Sequence, residues 1–102
     1  MINVLVTGSG GTGGINFIRA LRLAEKQLGR KLFIASTDHN PHYLKFPESD
    51  VRVVSPRHDD PGFTALLLKL ISKYKIDFLH PHPSSEARVV MENLAALKKT
   101  IS

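Results

Sequence analysis

The chain contains no cysteine and no tryptophan. The first absence excludes a disulfide framework and any zinc site built on thiolates, and it fits a cytoplasmic protein. Long apolar runs are also missing. No stretch approaches the ~18 residues needed to cross a bilayer as a helix, so no membrane partner is expected. The first basic residue is Arg19, which leaves the N-terminus without the pattern of a secretory signal. Aromatic residues are few, at 7%, and none is interleaved with the basic stripe Arg19, Arg22, Lys26 and Arg30. That stripe, in a chain of net charge +5, reads as a solvated helix face and not as a nucleic-acid surface.

What the chain has in abundance is glycine at one place. Five of its seven glycines fall in Gly8-Ser9-Gly10-Gly11-Thr12-Gly13-Gly14. This segment follows the apolar run Ile2–Thr7 and precedes a helical pattern over 14–28 whose expected inner face is Ile15, Ile18, Leu21, Ala24 and Leu28. A strand, a glycine loop and a helix in that order form the phosphate-facing corner of many nucleotide-binding α/β folds. Helix N-terminal N–H groups and the helix dipole favour an anion there.

Three further strands are expected at Leu32–Thr37, Val51–Ser55 and Ile76–His80. A helix is expected after Asp59-Asp60-Pro61, where an aspartate cap precedes proline, with Phe63, Leu66, Leu67, Leu70, Ile71 and Tyr74 in helical period. Asn40 and Pro41 open a short helical turn through Leu44. Ser84 or Ser85 caps a last helix whose inner face is Ala87, Val90, Met91, Leu94 and Leu97. Continuous apolar strands imply burial on both faces. Alternation of strands and helices with short connections then predicts one α/β domain over residues 1–102, a doubly wound, Rossmann-like parallel sheet of order 3-2-1-4 with Arg52 marking strand 3 as an edge. Ligands of such sheets bind at the carboxyl ends of the strands, here the glycine loop, 38–40, 56–59 and 80–86.

Gly8, Gly10 and Gly13 satisfy G-x-G-x-x-G, and Asp38 ends the second strand 25 residues later. That is the arrangement in which an acidic residue holds the ribose of NAD(P), so a small NAD(P)-binding domain of an oxidoreductase or regulatory protein is one reading. Other phosphate or carboxylate ligands are a second, and a tight turn with no ligand a third. No lysine lies in the loop, which removes a P-loop. Of the five histidines, His39/His42 and His80/His82 have the spacing of metal pairs but no third ligand, so no metal site is assigned. His80 with Asp38 or Glu86 forms a candidate acid–base pair. No nucleophile is positioned, and no catalytic residue is assigned. Glu86, in a first helical turn, suits the dipole.

Four segments, in order, resemble the ATP-grasp ligases close to the large subunit of carbamoyl phosphate synthase: Met1–Leu21, Thr37-Asp38-His39-Asn40-Pro41, Val54–Phe63, and Ile76–Pro81 with Ser85-Glu86. The resemblance spans nearly the whole chain. It implies a pre-ATP-grasp domain, the Rossmann-like N-terminal part of such ligases, followed in a longer protein by the ATP-grasp domains that bind ATP and Mg2+. It implies an acyl-phosphate mechanism for that protein, with this domain walling the active site and contacting a small-molecule acceptor, and no catalysis by this chain alone. Carried onto this sequence, Gly10, Gly11, Thr12, Gly13, Asp38, Asn40, Arg57, His80, His82, Ser84, Ser85 and Glu86 would face the substrate. Arg57 would pair with a carboxylate or phosphate. The segment His80-Pro81-His82-Pro83 is less acidic than the family pattern, which points to a substrate other than bicarbonate or ammonia. The exposed sheet edge offers a further partner, a second copy of the chain.

Overall fold

The computed structural model describes residues 1–101, with the last two as backbone. Four strands, β1 (Ile2–Val6), β2 (Leu32–Asp38), β3 (Val51–Val54) and β4 (Phe78–His80), form one sheet of order β3-β2-β1-β4. Every pairing is parallel. The fold is therefore α/β with the expected strand order, and β3 is an edge.

Helix α1 (Thr12–Leu28) crosses one face of the sheet, and α2 (Gly62–Tyr74) and α4 (Leu94–Ile101) cover the other, with α3 (Ser84–Glu92) leading into α4. Strand residues alternate faces. Val4, Val6 and Ile34 meet Ile18 of α1, whereas Leu5 and Ala35 meet Phe63, Leu67, Leu70 and Ile71 of α2 with Val90 and Leu97. Burial of each large side chain in the second cluster contributes roughly 1.5–3 kcal/mol relative to exposure. This larger core accordingly carries most of the hydrophobic stabilisation.

The helix boundaries follow local chemistry. Gly29 adopts φ 65°, and its N–H reaches the Glu25 carbonyl, ending α1 as a left-handed cap. Ahead of α2, the Asp60 carboxylate accepts the Gly62 N–H at 2.7 Å. After Asn40 the chain makes a 3-10 turn, Tyr43–Lys45.

Four expectations are corrected. The last helix is two, interrupted at Asn93: its backbone N–H is shared between the Val89 and Val90 carbonyls, its side-chain Nδ2 also donates to the Val89 carbonyl, and its φ of −112° leaves the helical region. Met91, expected inside, is 64% exposed. Leu28 is 74% exposed, and among the described residues no helix packs closely against α1. Neither Ser84 nor Ser85 caps α3: Ser84 is its first residue, and the Pro83 carbonyl accepts the N–H groups of Glu86 and Ala87.

Among the described residues no helix is long and apolar enough to cross a membrane.

Candidate functional site

The glycine loop is folded by its own backbone. Gly8 takes φ 56° as the chain leaves β1, and its carbonyl accepts the Gly11 N–H at 3.2 Å. Gly11 then opens α1, accepting from Ile15 at 2.9 Å. The N–H groups of Thr12, Gly13 and Gly14 belong to the first helical turn and have no intrahelical acceptor. Both the N–H and the hydroxyl of Ser9 donate to the Thr37 carbonyl at 3.0 Å, tying the loop to β2.

Asp38 is committed to this architecture. One carboxylate oxygen accepts the Gly10 N–H and the other accepts the Asn40 N–H, both at 2.9 Å, and the residue is buried. Gly10 is itself buried against Tyr43, so closely that no Cβ fits. The Asn40 side chain accepts the His42 N–H at 3.0 Å and so shapes the turn that brings Tyr43 there.

On the other side of the loop, Thr7 clamps the segment after β4. Its hydroxyl accepts the His82 N–H and donates to the His82 carbonyl, each at 3.1 Å. Thr7→Val is expected to cost about 1–2 kcal/mol, because the His82 N–H and carbonyl both lose a partner in a half-buried setting. Urea unfolding of the variant measures it.

The two histidines pair with each other. Their Nε2 atoms lie 2.7 Å apart, so one donates and the other accepts. That bond needs one bare nitrogen, and the pair therefore carries at most one added proton while it persists. His80 stacks on Phe17 of α1 with centroids 3.7 Å apart. Burial holds its pKa below the ordinary histidine value, and the neighbouring His82 lowers it further. Among the described residues His80 makes no hydrogen bond or ion pair with Asp38 or Glu86, so the expected acid–base pair is not assembled.

Glu86 is the unusual group. It is 2% exposed, and its Oε1 has no hydrogen-bond partner. Burial pushes its pKa up to about 7; the Thr7 hydroxyl opposes this, and the Asp38 charge adds to it. Below that pH the side chain is a neutral carboxyl able to donate a hydrogen bond. The dipole-favoured carboxylate expected from sequence is thus a buried acid.

These groups enclose a half-open cleft of about 460 Å³ at the carboxyl end of the sheet. Of the expected site residues, Gly11, Thr12, Gly13, Asp38, His82, Ser84 and Glu86 line it. His80 stands behind His82, and Gly10, Asn40 and Ser85 lie outside the lining. Arg57 is exposed and pairs with Asp59 at 3.3 Å, away from the cleft. Sequence reasoning missed Tyr43 in the lining and Thr7 beneath it; His39, within the expected 38–40 strand end, also lines it. Position alone could have suggested Thr7, since it ends the apolar run that feeds the glycine loop.

The first turns of α1 and α3 both open onto this cleft, so two positive dipole ends face one space. Its lining holds no lysine or arginine, and no cluster of three or more metal-ligating side chains occurs among the described residues. Chemically, the arrangement can receive an anionic group through backbone N–H and hydroxyl donors, with Glu86 as a proton-bearing donor. No protein-family model matches the chain, and no curated protein matches it.

Proposed function

We propose that this chain is the Rossmann-like, substrate-side domain of an ATP-dependent carboxylate–amine ligase of the ATP-grasp type, and that its cleft holds the carboxylate or phosphate of a small acceptor substrate. The observation that carries the reading is the convergence of two helix N-termini on a buried, unpartnered Glu86. A carboxyl kept neutral there does not repel the anion that the dipoles attract. The four-segment resemblance and the strand order point the same way.

The residues present do not fit ATP with Mg2+. The cleft offers no lysine or arginine for a triphosphate, and the Asp38 carboxylate is occupied by two N–H groups. Those ligands belong, in this proposal, to ATP-grasp domains of the parent protein, and no chemical step is assigned to this chain. The same commitment of Asp38, with Tyr43 closing over Gly10, weakens the NAD(P) alternative, because the acidic residue at the end of β2 is already used in folding the loop.

A thermal-shift panel of small carboxylates, phosphate monoesters, NAD+ and NADP+ tests the reading. A carboxylate or phosphate ester is expected to raise Tm by about 5 °C or more at tenfold excess over its Kd, with no effect of either dinucleotide. With ATP, Mg2+ and the same compounds, the chain alone is expected to release no ADP. A dinucleotide as the strongest ligand, or substrate-dependent ADP release, overturns it.

A further inference from the structure

The amino end of the sheet, opposite the anion cleft, carries a separate feature. A trough of about 980 Å³ runs between the second half of α1 and the start of β4, floored by Ile2, Ala24 and Phe78. Four large apolar side chains stand open along it: Met1 at 82%, Leu28 at 74%, Phe78 at 61% and Ile2 at 41% exposure. Single exposed apolar residues are ordinary, but a contiguous group marks a surface that is covered in use.

Layer geometry says what kind of element covers it. Phe78 lies beside Val4 in the parallel register, and Val4 packs on the α1 side of the sheet, so Phe78 projects to that side. Parallel sheets carry helices on both faces, yet on this face the start of β4 is bare. Strands are spaced about 4.8 Å apart and packed helices about 8–10 Å apart. A second helix laid beside α1 therefore falls over β4 and its free edge. A strand added to that edge gains little, because β4 is only three residues long.

Charge selects the partner. Of the two acidic groups at the trough, Glu25 is neutralised by Arg22 and also takes the Leu32 N–H, which leaves Asp77, bonded to the Asn3 N–H, against the two cations Arg30 and Lys31. Among the described residues no acidic partner is recorded for Arg30 or Lys31, which line the trough, or for Lys26 in the adjoining groove. A second copy of this chain is a poor fit. Each copy carries +5, and α1, α2 and α4 present basic residues to solvent.

We infer that this trough receives an amphipathic helix of a partner protein, apolar along one stripe and acidic along its flanks. Recognition is of the helix-in-groove type, with apolar anchors at helical spacing against Phe78 and Leu28. The inference does not depend on the anion cleft.

The test titrates the full chain, labelled with 15N, with a synthetic helical peptide bearing leucines at i, i+3, i+4 and i+7 and glutamates elsewhere. A matched peptide carries lysines in place of the glutamates. Saturable amide shifts are expected at residues 1–2, 24–32 and 77–78 with the glutamate peptide, and binding at least tenfold weaker with the lysine peptide. Phe78→Glu is expected to weaken binding at least tenfold. The double variant Arg30→Glu/Lys31→Glu, at exposed positions, is expected to reverse the peptide preference, and it decides the matter if the Phe78 variant does not fold. Equal binding of both peptides, shifts confined to other surfaces, or no shifts at millimolar peptide overturn the inference. So does a dimer in sedimentation that Phe78→Glu abolishes, since it assigns the trough to a second copy.

Discussion

Gly8→Ala is expected to destabilise the protein by about 2–4 kcal/mol, the largest effect of any single methyl addition in the chain. Two costs combine. Gly8 holds φ 56°, a conformation that costs a residue with a Cβ about 1 kcal/mol or more. A Cβ built there also falls on the His82 carbonyl. That carbonyl cannot retreat cheaply, because the Thr7 hydroxyl holds both it and the His82 N–H. Overpacking against fixed backbone costs a further 1–3 kcal/mol or more. Against the roughly 5–15 kcal/mol total of a typical domain, the variant loses much of its stability. Urea unfolding reads this as a large fall in midpoint at unchanged slope. A loss below about 1 kcal/mol contradicts the described contact between the glycine loop and the segment after β4.

Glu86→Gln is expected to stabilise the protein at alkaline pH and to leave it unchanged near pH 4. The folded-state pKa, about 7, lies above the ordinary glutamate value of 4.5. Between those values the folded state binds more protons than the unfolded state, so stability falls as pH rises. The loss begins near pH 4.5 and is complete above pH 7. Glutamine reproduces the neutral form and does not titrate, so its advantage grows over that window. Discounted for solvent screening, the gain at pH 8 is on the order of 1–2 kcal/mol. The same substitution is expected to strengthen anion binding at pH 8 and to change it little at pH 5. Parallel stability–pH curves for the two proteins contradict both statements.

The sheet was legible in the sequence because its causes are local and repetitive. Continuous apolar runs at Leu32–Thr37 and Ile2–Thr7 signal double burial, Arg52 signals an edge, and Gly29 signals a helix end; right-handed crossovers then leave few orders to choose from. The composition of the candidate site was legible in part, since loop position alone gathers Gly11, Thr12, Gly13, Asp38, His82, Ser84 and Glu86 at one end of the sheet. What the residues do there was not. Sequence spacing cannot tell that the two oxygens of Asp38 are consumed by Gly10 and Asn40, or that Phe17 stacks on His80. Glu86 shows this most clearly. One dimension presents an acid in a first helical turn, where its charge is favoured. Three dimensions bury it near Thr7 and Asp38, and desolvation raises its pKa. Leu28 fails for the opposite reason: its periodicity predicts an inner face, but burial also requires a neighbouring layer, and none covers that end among the described residues.

The central claim is that the cleft between α1 and α3 binds an anion through two helix N-termini and a neutral Glu86. Amide spectra of the 15N-labelled chain titrated with inorganic phosphate at pH 6 and at pH 8.5 test it most directly. The account predicts saturable shifts at residues 11–14 and 84–86 at pH 6, and weaker binding at pH 8.5, where Glu86 is ionised. Shifts confined to exposed lysines and arginines such as Lys26, Arg30 and Arg57, or binding that strengthens as Glu86 ionises, would contradict it.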